Sequence, residues 1–429
     1  MNKKRLVVIG GGFSGLNLVR TLKKAPMDIV LIDKKNHHLF QPLLYQAATA
    51  TLSPRDISIA LREVFAKQKN TTVIMGEVTQ IDKKKKKVLL GNGDRFTYDY
   101  LAVGIGAKHS YFGHDEWEPF APGIKTITDA LKIREHILMS FEKAERLDSI
   151  HETHKYLTFV IVGAGPTGVE FAGTISELIQ KTMHRNFRSI RTEKARVILI
   201  EAADRVLPTF HPKLAERTAA DLEKLGVTVL TRTFVTNINA EGVEIGDQFI
   251  EAKNVIWAAG NTVSPLLLQL ETECDKSGRA VVRSDLSIPN HPEIFVLGDA
   301  AHYKTPQRII LPAVATVALQ EGRFVGKLLR DEVERKKPSP LRTRGFVFRD
   351  KGSLATIGAY KAVGSIKGVR FTGLLAWLIW GFVHIGYLIG FRHRLTVMIE
   401  WFIHHMTGIR SSRIIHGTID EDLPKSQSQ

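Results

Sequence analysis

Gly10, Gly12 and Gly15 stand at the spacing G-x-G-x-x-G inside RLVVIGGGFSGLNLVRTLKK, and Asp33 closes the apolar run MDIVLID that follows. Each position has its own chemical reason. Gly10 permits a tight turn, Gly12 lets the backbone approach a pyrophosphate, and Gly15 lets a helix pack closely on a strand. The pyrophosphate then meets free N–H groups at the helix start. A carboxylate at the end of the next strand accepts from ribose hydroxyls. The arrangement returns with Gly163, Gly165 and Gly168 in YLTFVIVGAGPTGVEFAGTISELI and with Glu201 closing ARVILIE. One such loop is a weak signal; strand, glycines, helix, strand and acid in order, twice, is a strong one. Glu201 would repel a ribose 2′-phosphate, so the second loop is expected to prefer NADH to NADPH. The competing reading is a pair of glycine turns that hold no ligand.

The elements that must position these residues follow from the apolar pattern. Buried strands, glycine turns and helices in repeat predict an α/β chain with two Rossmann-like dinucleotide-binding domains. TTVIMGEV, FTYDYLAVGIGA, VTVLTRTFV, NVIWAAG and EIFVLGDAA supply further strands. The lysine run Lys83–Lys87 lies between VTQID and VLLGNGD and reads as a solvated hairpin. ERKKPSPLRTRG carries Pro338 and Pro340 and reads as a linker, GFVFRDKGSLATIGAYKAVGSI as strands, and DEDLPKSQSQ as a disordered end.

Composition narrows the function. A formal charge of +16 allows nucleic acid, an anionic membrane surface or anionic substrates. No arginine-rich tail, zinc-finger spacing or recognition helix accompanies it, so no nucleic-acid partner is expected. Cys274 is the single cysteine, which excludes a disulfide framework and a C-x-x-C redox pair and fits a reducing compartment. The N-terminal apolar run is short and ends in glycines, so it reads as a strand and not as a signal peptide. No histidine or carboxylate spacing predicts a metal. His37, His38 and the C-terminal histidines read as interfacial or surface residues, and the adjacent His404 and His405 are expected on different helix faces, unable to serve one site easily.

Two dinucleotides in one chain suggest a flavin beside a nicotinamide, with hydride passing between them. At this point the motifs resemble a family. The first loop, FTYDYLAVGIGA, NVIWAAG and EIFVLGDAA resemble the two-dinucleotide flavoprotein disulfide reductase superfamily. One cysteine cannot serve the dithiol branches. NHHLFQPLLYQAATATLSPRDIS, VGAGPTGVEFAGTISEL and FTGLLAWLIWGFVHIGYLIGFRHRLTVMIEWF are similar to bacterial type II NADH dehydrogenases, the non-proton-pumping NADH:quinone oxidoreductases, from about Lys4 to Gly417.

The resemblance implies FAD contacts from Gly12, Phe13, Ser14, Gly15 and Leu16, from Asp33, Lys34 and the backbone around Val78, and from Asp299 in the GDAA motif. LPAVATVALQEG matches the family's A-Q-x-A-x-Q stretch near the isoalloxazine and quinone. Ala315 and Gln320 fit it, and Thr316 replaces the first glutamine. Glu170 matches a glutamate near the nicotinamide and quinone, implying a positioning or proton-conducting role; the bland alternative is charge complementarity at a helix start, worth at most ~1 kcal/mol. The implied organisation is an FAD domain in two parts, 1–115 and 286–335, an NADH domain at 116–285, and a C-terminal module at 341–420. Implied too is a respiratory enzyme passing two electrons to ubiquinone or menaquinone without pumping protons. A related reductase with another acceptor, or an NADH-binding redox sensor, remains the alternative.

Phe371–Phe391 holds no Lys, Arg, Asp or Glu and is long enough to span a bilayer. Its repeated glycines and internal Trp377, Trp380 and Tyr387 favour the interface instead. In the next segment Leu395, Met398, Ile399, Phe402, Ile403 and Met406 share one helical face, as in a helix lying in the membrane surface. Arg392, Arg394, Arg410 and Arg413 are placed to reach anionic headgroups. The expectation is monotopic attachment at the cytoplasmic face of a bacterial inner membrane, with a homodimer sharing the same apolar surface as the competing use of it.

Overall fold

The computed structural model describes residues 3–184, 186–408, 410 and 412–415. The chain forms two compact units: Met1–Leu39 with Ser58–Lys108 and Asn261–Lys351, and Phe40–Ile57 with His109–Gly260 and the chain from Gly352 onward.

In the first unit, six strands run in the order Ser287–Ile288, His291–Val296, Tyr100–Val103, Lys4–Ile9, Met27–Asp33 and Thr71–Met75. All neighbours are parallel except the first pair. Leu6, Val7, Val8, Leu31 and Ile32 are fully buried, the continuous apolar run of a sheet covered on both faces. The Phe13–Thr21 helix packs on the long Ala315–Arg335 helix, where Gly322 meets the Ser14 carbonyl and Gly326 meets Thr21. The lysine run forms the expected hairpin, turning between Val78–Asp82 and Lys87–Leu90.

The second unit repeats the design with four parallel strands, ordered Val227–Leu230, Arg196–Ile200, Thr158–Val162 and Asn254–Trp257. Its C-terminal portion holds an antiparallel sheet of Ser353–Thr356, Ala362–Ile366 and Val369–Thr372, followed by the helices Gly373–Tyr387 and Phe391–Thr407. The strand reading of GFVFRD is corrected: residues 346–350 form no strand, and pairing begins at Ser353. The linker reading is corrected in part, because the Ala315–Arg335 helix runs into it and Leu341–Arg344 form a further short helix. DEDLPKSQSQ lies outside the described residues.

The apolar stretch Phe371–Phe391 starts in a strand, is helical only over Gly373–Tyr387, and breaks at Leu388–Gly390, where Gly390 has φ 87°. Among the described residues no helix is long and apolar enough to cross a membrane. Leu374, Leu375, Leu378 and Phe382 of this helix face outward, as do Leu395, Met398, Ile399, Phe402, Ile403 and Met406 of the next. The inward side of the second helix is Val397, Trp401 and His404. Two expectations fail here. Trp380 is buried against Trp401 and His384, at 5.1 and 4.3 Å between ring centroids, and not held at an interface. Arg410 is 2 % exposed and donates to the carbonyls of Thr49 at 2.5 Å and Thr174 at 2.9 Å, so it cannot reach a headgroup.

Candidate active site

The two glycine loops have the same geometry. Gly10 and Gly163 both take φ 100°, a conformation that strains any residue with a Cβ. A Cβ on Gly15 would overlap the Gly10 carbonyl oxygen, and one on Gly168 the Gly163 carbonyl oxygen, so helix and strand touch through backbone alone. Above Gly12 and Gly165 there is open space instead. Both are helix N-caps without a side-chain cap, which leaves the first N–H groups directed at that space.

The acids also act alike. Asp33 accepts the Gly11 N–H at 2.6 Å through one oxygen and the Lys35 N–H at 2.7 Å through the other. Glu201 accepts the Ala164 N–H at 2.7 Å and the Ala203 N–H at 2.8 Å. Each carboxylate oxygen keeps a lone pair for a ribose hydroxyl. Burial pushes the Asp33 carboxyl up, and the Gly11 and Lys35 N–H groups oppose that shift. Open cradle, uncapped helix start and anchored acid fit a dinucleotide in each unit.

The other expected residues of the first unit stand on several of its elements. Ser14 and Leu16 are buried in the helix, and Phe13 meets His38 edge-on at 5.0 Å. Lys34 is exposed beyond Asp33, and Val78 begins a strand opposite Leu90. Asp299 follows Gly298 in a short turn, and Ala315 and Thr316 open the long helix. Gln320 is clamped to the backbone of Arg349, donating to its carbonyl and accepting its N–H, both at 3.0 Å.

Two residues here were not foreseen. Glu321 is 1 % exposed and accepts the Gly298 N–H at 2.6 Å, and burial raises its pKa to about 8. His38, expected at the surface, is 3 % exposed. Its Nδ1–H donates to the Gly11 carbonyl at 3.0 Å, and burial holds the ring neutral with a pKa of about 4. Its place on the apolar side of an amphipathic helix, four residues from both Val317 and Val325, was the available signal for Glu321; for His38 there was none.

Glu170, in the second unit, lies in the Pro166–Glu177 helix and is 8 % exposed. Its carboxyl turns toward the C-terminal sheet and accepts the Thr356 N–H at 3.3 Å. Burial raises its pKa to about 8; the Thr356 N–H and the Trp380 indole oppose the shift. A carboxyl in this state is a proton carrier at neutral pH.

Around it sit groups that spacing did not bring together. Tyr45 is hydrogen-bonded to Thr356 Oγ1 at 3.0 Å, Gln46 donates to Tyr45 at 3.0 Å, and Trp401 donates to Gln46 at 2.7 Å. Glu177 accepts from the Ala359 N–H at 2.7 Å and Lys181 at 3.2 Å. His404 and His405, expected on different faces and unable to serve one site easily, both line one cavity with Tyr45, Thr356, Glu177 and Trp380.

Two glycine-loop units of this build, each with its acid, define a pyridine nucleotide-disulphide oxidoreductase, and that family's model matches residues 4–322. The model of the NDH2 C-terminal domain matches residues 351–410. The type II NADH:quinone oxidoreductase Ndh of Mycobacterium tuberculosis is 42% identical over 425 residues, covering 96% of this chain and 90% of that one. The type II NADH:quinone oxidoreductase of Staphylococcus haemolyticus is 32% identical, covering 87% and 92%. The NDH2 of Plasmodium falciparum, solved in complex with NADH, shares the fold with a TM-score of 0.87 at 21% identity, covering 96% of this chain and 99% of that one. The chain belongs to the type II NADH:quinone oxidoreductase family.

Proposed function

We infer that this chain oxidises NADH and passes two electrons to a quinone, with FAD as its carrier. The paired loops carry the reading, since each supplies an anchored acid and an open, uncapped helix start. Bound FAD supplies a hydride acceptor that can hand electrons on in a separate step. The chain's part is to hold and orient. In the first unit, Gly10 to Leu16 would seat the FAD pyrophosphate, Asp33 the ribose, and Lys34, Val78, Asp299, Ala315 and Thr316 the rest of that cofactor. In the second, Gly163, Gly165 and Gly168 would seat the NADH pyrophosphate and Glu201 its ribose. Glu170, protonated and buried, holds a proton for the acceptor side.

The quinone is a membrane quinone, ubiquinone or menaquinone, met at the lipid surface. The outward apolar residues of Gly373–Tyr387 and Phe391–Thr407 support attachment of this protein to a bilayer face, the cytoplasmic one in a bacterium. The energy of NADH oxidation is then released and not stored as a gradient. Anaerobic mixing of the purified flavoprotein with NADH or NADPH, followed by either quinone, tests the assignment. Flavin bleaching by NADH at least about tenfold faster than by NADPH is expected, since an acid at the ribose opposes a 2′-phosphate. Rapid return of colour on adding quinone is expected next; bleached flavin that quinone leaves reduced would sink the reading.

A further inference from the structure

The two glycine loops hold the same peptide in two different ways. In the second, Ala164 gives its N–H to Glu201 at 2.7 Å, and its carbonyl accepts the Leu207 N–H at 2.8 Å. In the first, Gly11 gives its N–H to Asp33 at 2.6 Å, and its carbonyl accepts the Nδ1–H of His38 at 3.0 Å. Each clamp comes from the chain just past its acid. One carbonyl is held by backbone, the other by a single side chain.

The direction of that carbonyl fixes more than its own hydrogen bond. A trans peptide points its C=O and the next N–H to opposite sides. The clamp on the Gly11 carbonyl therefore sets the direction of the Gly12 N–H, one of the uncapped donors at the helix start.

His38 is itself held firmly. It stands in the short ribbon of His37–Leu39 and Ser58–Ala60, opposite Ile59. The Leu61 N–H ties that ribbon to the Asn36 carbonyl at 2.9 Å, and the Leu61 side chain fills the space beside Gly11. The buried ring meets Phe13 edge-on, on the far side of Gly12 in the chain. A ring nitrogen bonded to a carbonyl must carry the hydrogen, so Nδ1 is the donor and the tautomer is fixed. Burial lowers the pKa to about 4, against the pull of the Gly11 carbonyl and with the help of His37 and Arg20. The ring thus gives its hydrogen bond without adding a charge.

We propose that His38 is a positioning residue for the flavin cofactor. Through the Gly11 carbonyl it holds the first loop's peptide in the direction that turns the Gly12 N–H to the FAD pyrophosphate. The proposal rests on the reading that the first loop seats FAD. It makes the FAD seat depend on one side chain, a dependence that the NADH seat, clamped by the Leu207 backbone, does not share.

Two variants of the full-length flavoprotein separate the two properties of the ring. His38→Asn keeps an N–H donor near the Nδ1 position and loses the ring. His38→Phe keeps a flat ring against Phe13 and loses the donor. FAD release after dilution is read from the rise in free-flavin fluorescence. Binding of NAD⁺, which leaves the flavin oxidised, is read from quenching of protein fluorescence. Release should quicken at least about fivefold in His38→Phe, where a buried carbonyl loses its donor, and stay within about twofold in His38→Asn. Affinity for NAD⁺ should stay within about twofold in both. If His38→Phe yields no soluble protein, the smaller His38→Leu takes its place as the donor-free variant. Unaltered release from the donor-free variant overturns the proposal. So does fast release from His38→Asn, which would assign the effect to the ring's packing, or equal weakening of FAD and NAD⁺, the mark of general damage. If the unaltered protein purifies without flavin, the FAD reading itself falls, and the role of His38 with it.

Discussion

Glu170 occupies a position where the same residue could have been a surface charge at a helix start. Its burial under Thr356 and Trp380 makes it a proton-holding group instead. The sign of the consequence is fixed by linkage. The folded-state pKa, about 8, stands above the ordinary 4.5, so the folded protein binds this proton more tightly than the unfolded chain. The stabilisation is full below pH 4.5 and is lost as pH rises through about 8. Glu170→Gln removes that loss. Its melting temperature relative to the unaltered protein should therefore rise between pH 5 and pH 9, with Glu321 contributing equally to both. Quinone reduction by the variant should drop at least about tenfold at neutral pH. A melting difference that stays flat with pH would show that the carboxyl is ionised in the folded state.

At the scale of elements, the two glycine loops separate folding from binding. A Cβ on Gly15 would overlap the Gly10 carbonyl oxygen, whereas Gly12 faces open space with φ −69°, a conformation alanine adopts freely. Gly15→Ala should prevent helix and strand from closing, seen as loss of soluble protein or a large fall in melting temperature. Gly12→Ala should leave the apoprotein's melting temperature within about 1–2 °C while FAD content after purification falls several-fold, because the added methyl occupies the pyrophosphate's approach. Full FAD content in Gly12→Ala would place the cofactor elsewhere.

For the molecule as a whole, the C-terminal helices have two apolar sides with different duties. Val397 and Trp401 pack inward, Trp401 against Trp380, so truncation before residue 390 would remove core residues together with part of the outer face. Point changes on the outer face are the cleaner probe. Phe382 and Phe402 are 82 % and 68 % exposed. Replacing both with Lys should abolish sedimentation with anionic vesicles, since each phenylalanine contributes about 1.5–3 kcal/mol when buried in an apolar phase. Oxidation of NADH with a water-soluble short-chain quinone should persist. Unchanged vesicle binding, with loss of a dimer in solution, would assign this face to a second copy of the chain.

Local chemistry was legible from the residues alone. A buried strand, a glycine turn and an acid at the next strand's end are short-range patterns, and their repetition marked both dinucleotide loops and the α/β class. Sequence spacing also placed Leu395, Met398, Ile399, Phe402, Ile403 and Met406 on one helical face, and all six are exposed. What spacing could not reach were contacts between distant segments. His38 reads as a surface residue until its ring is seen beneath the Gly11 carbonyl. Arg410 reads as a headgroup ligand until Thr49 and Thr174 take its donors, and Trp380 as an interfacial ring until Trp401 covers it. The Tyr45, Gln46, Thr356 and Trp401 chain draws on three separate stretches of sequence. Periodicity reports which residues share an element's face, because that is set by backbone geometry. Which face meets which is decided by packing and by the demand that buried polar groups find partners, and only the tertiary structure holds that answer.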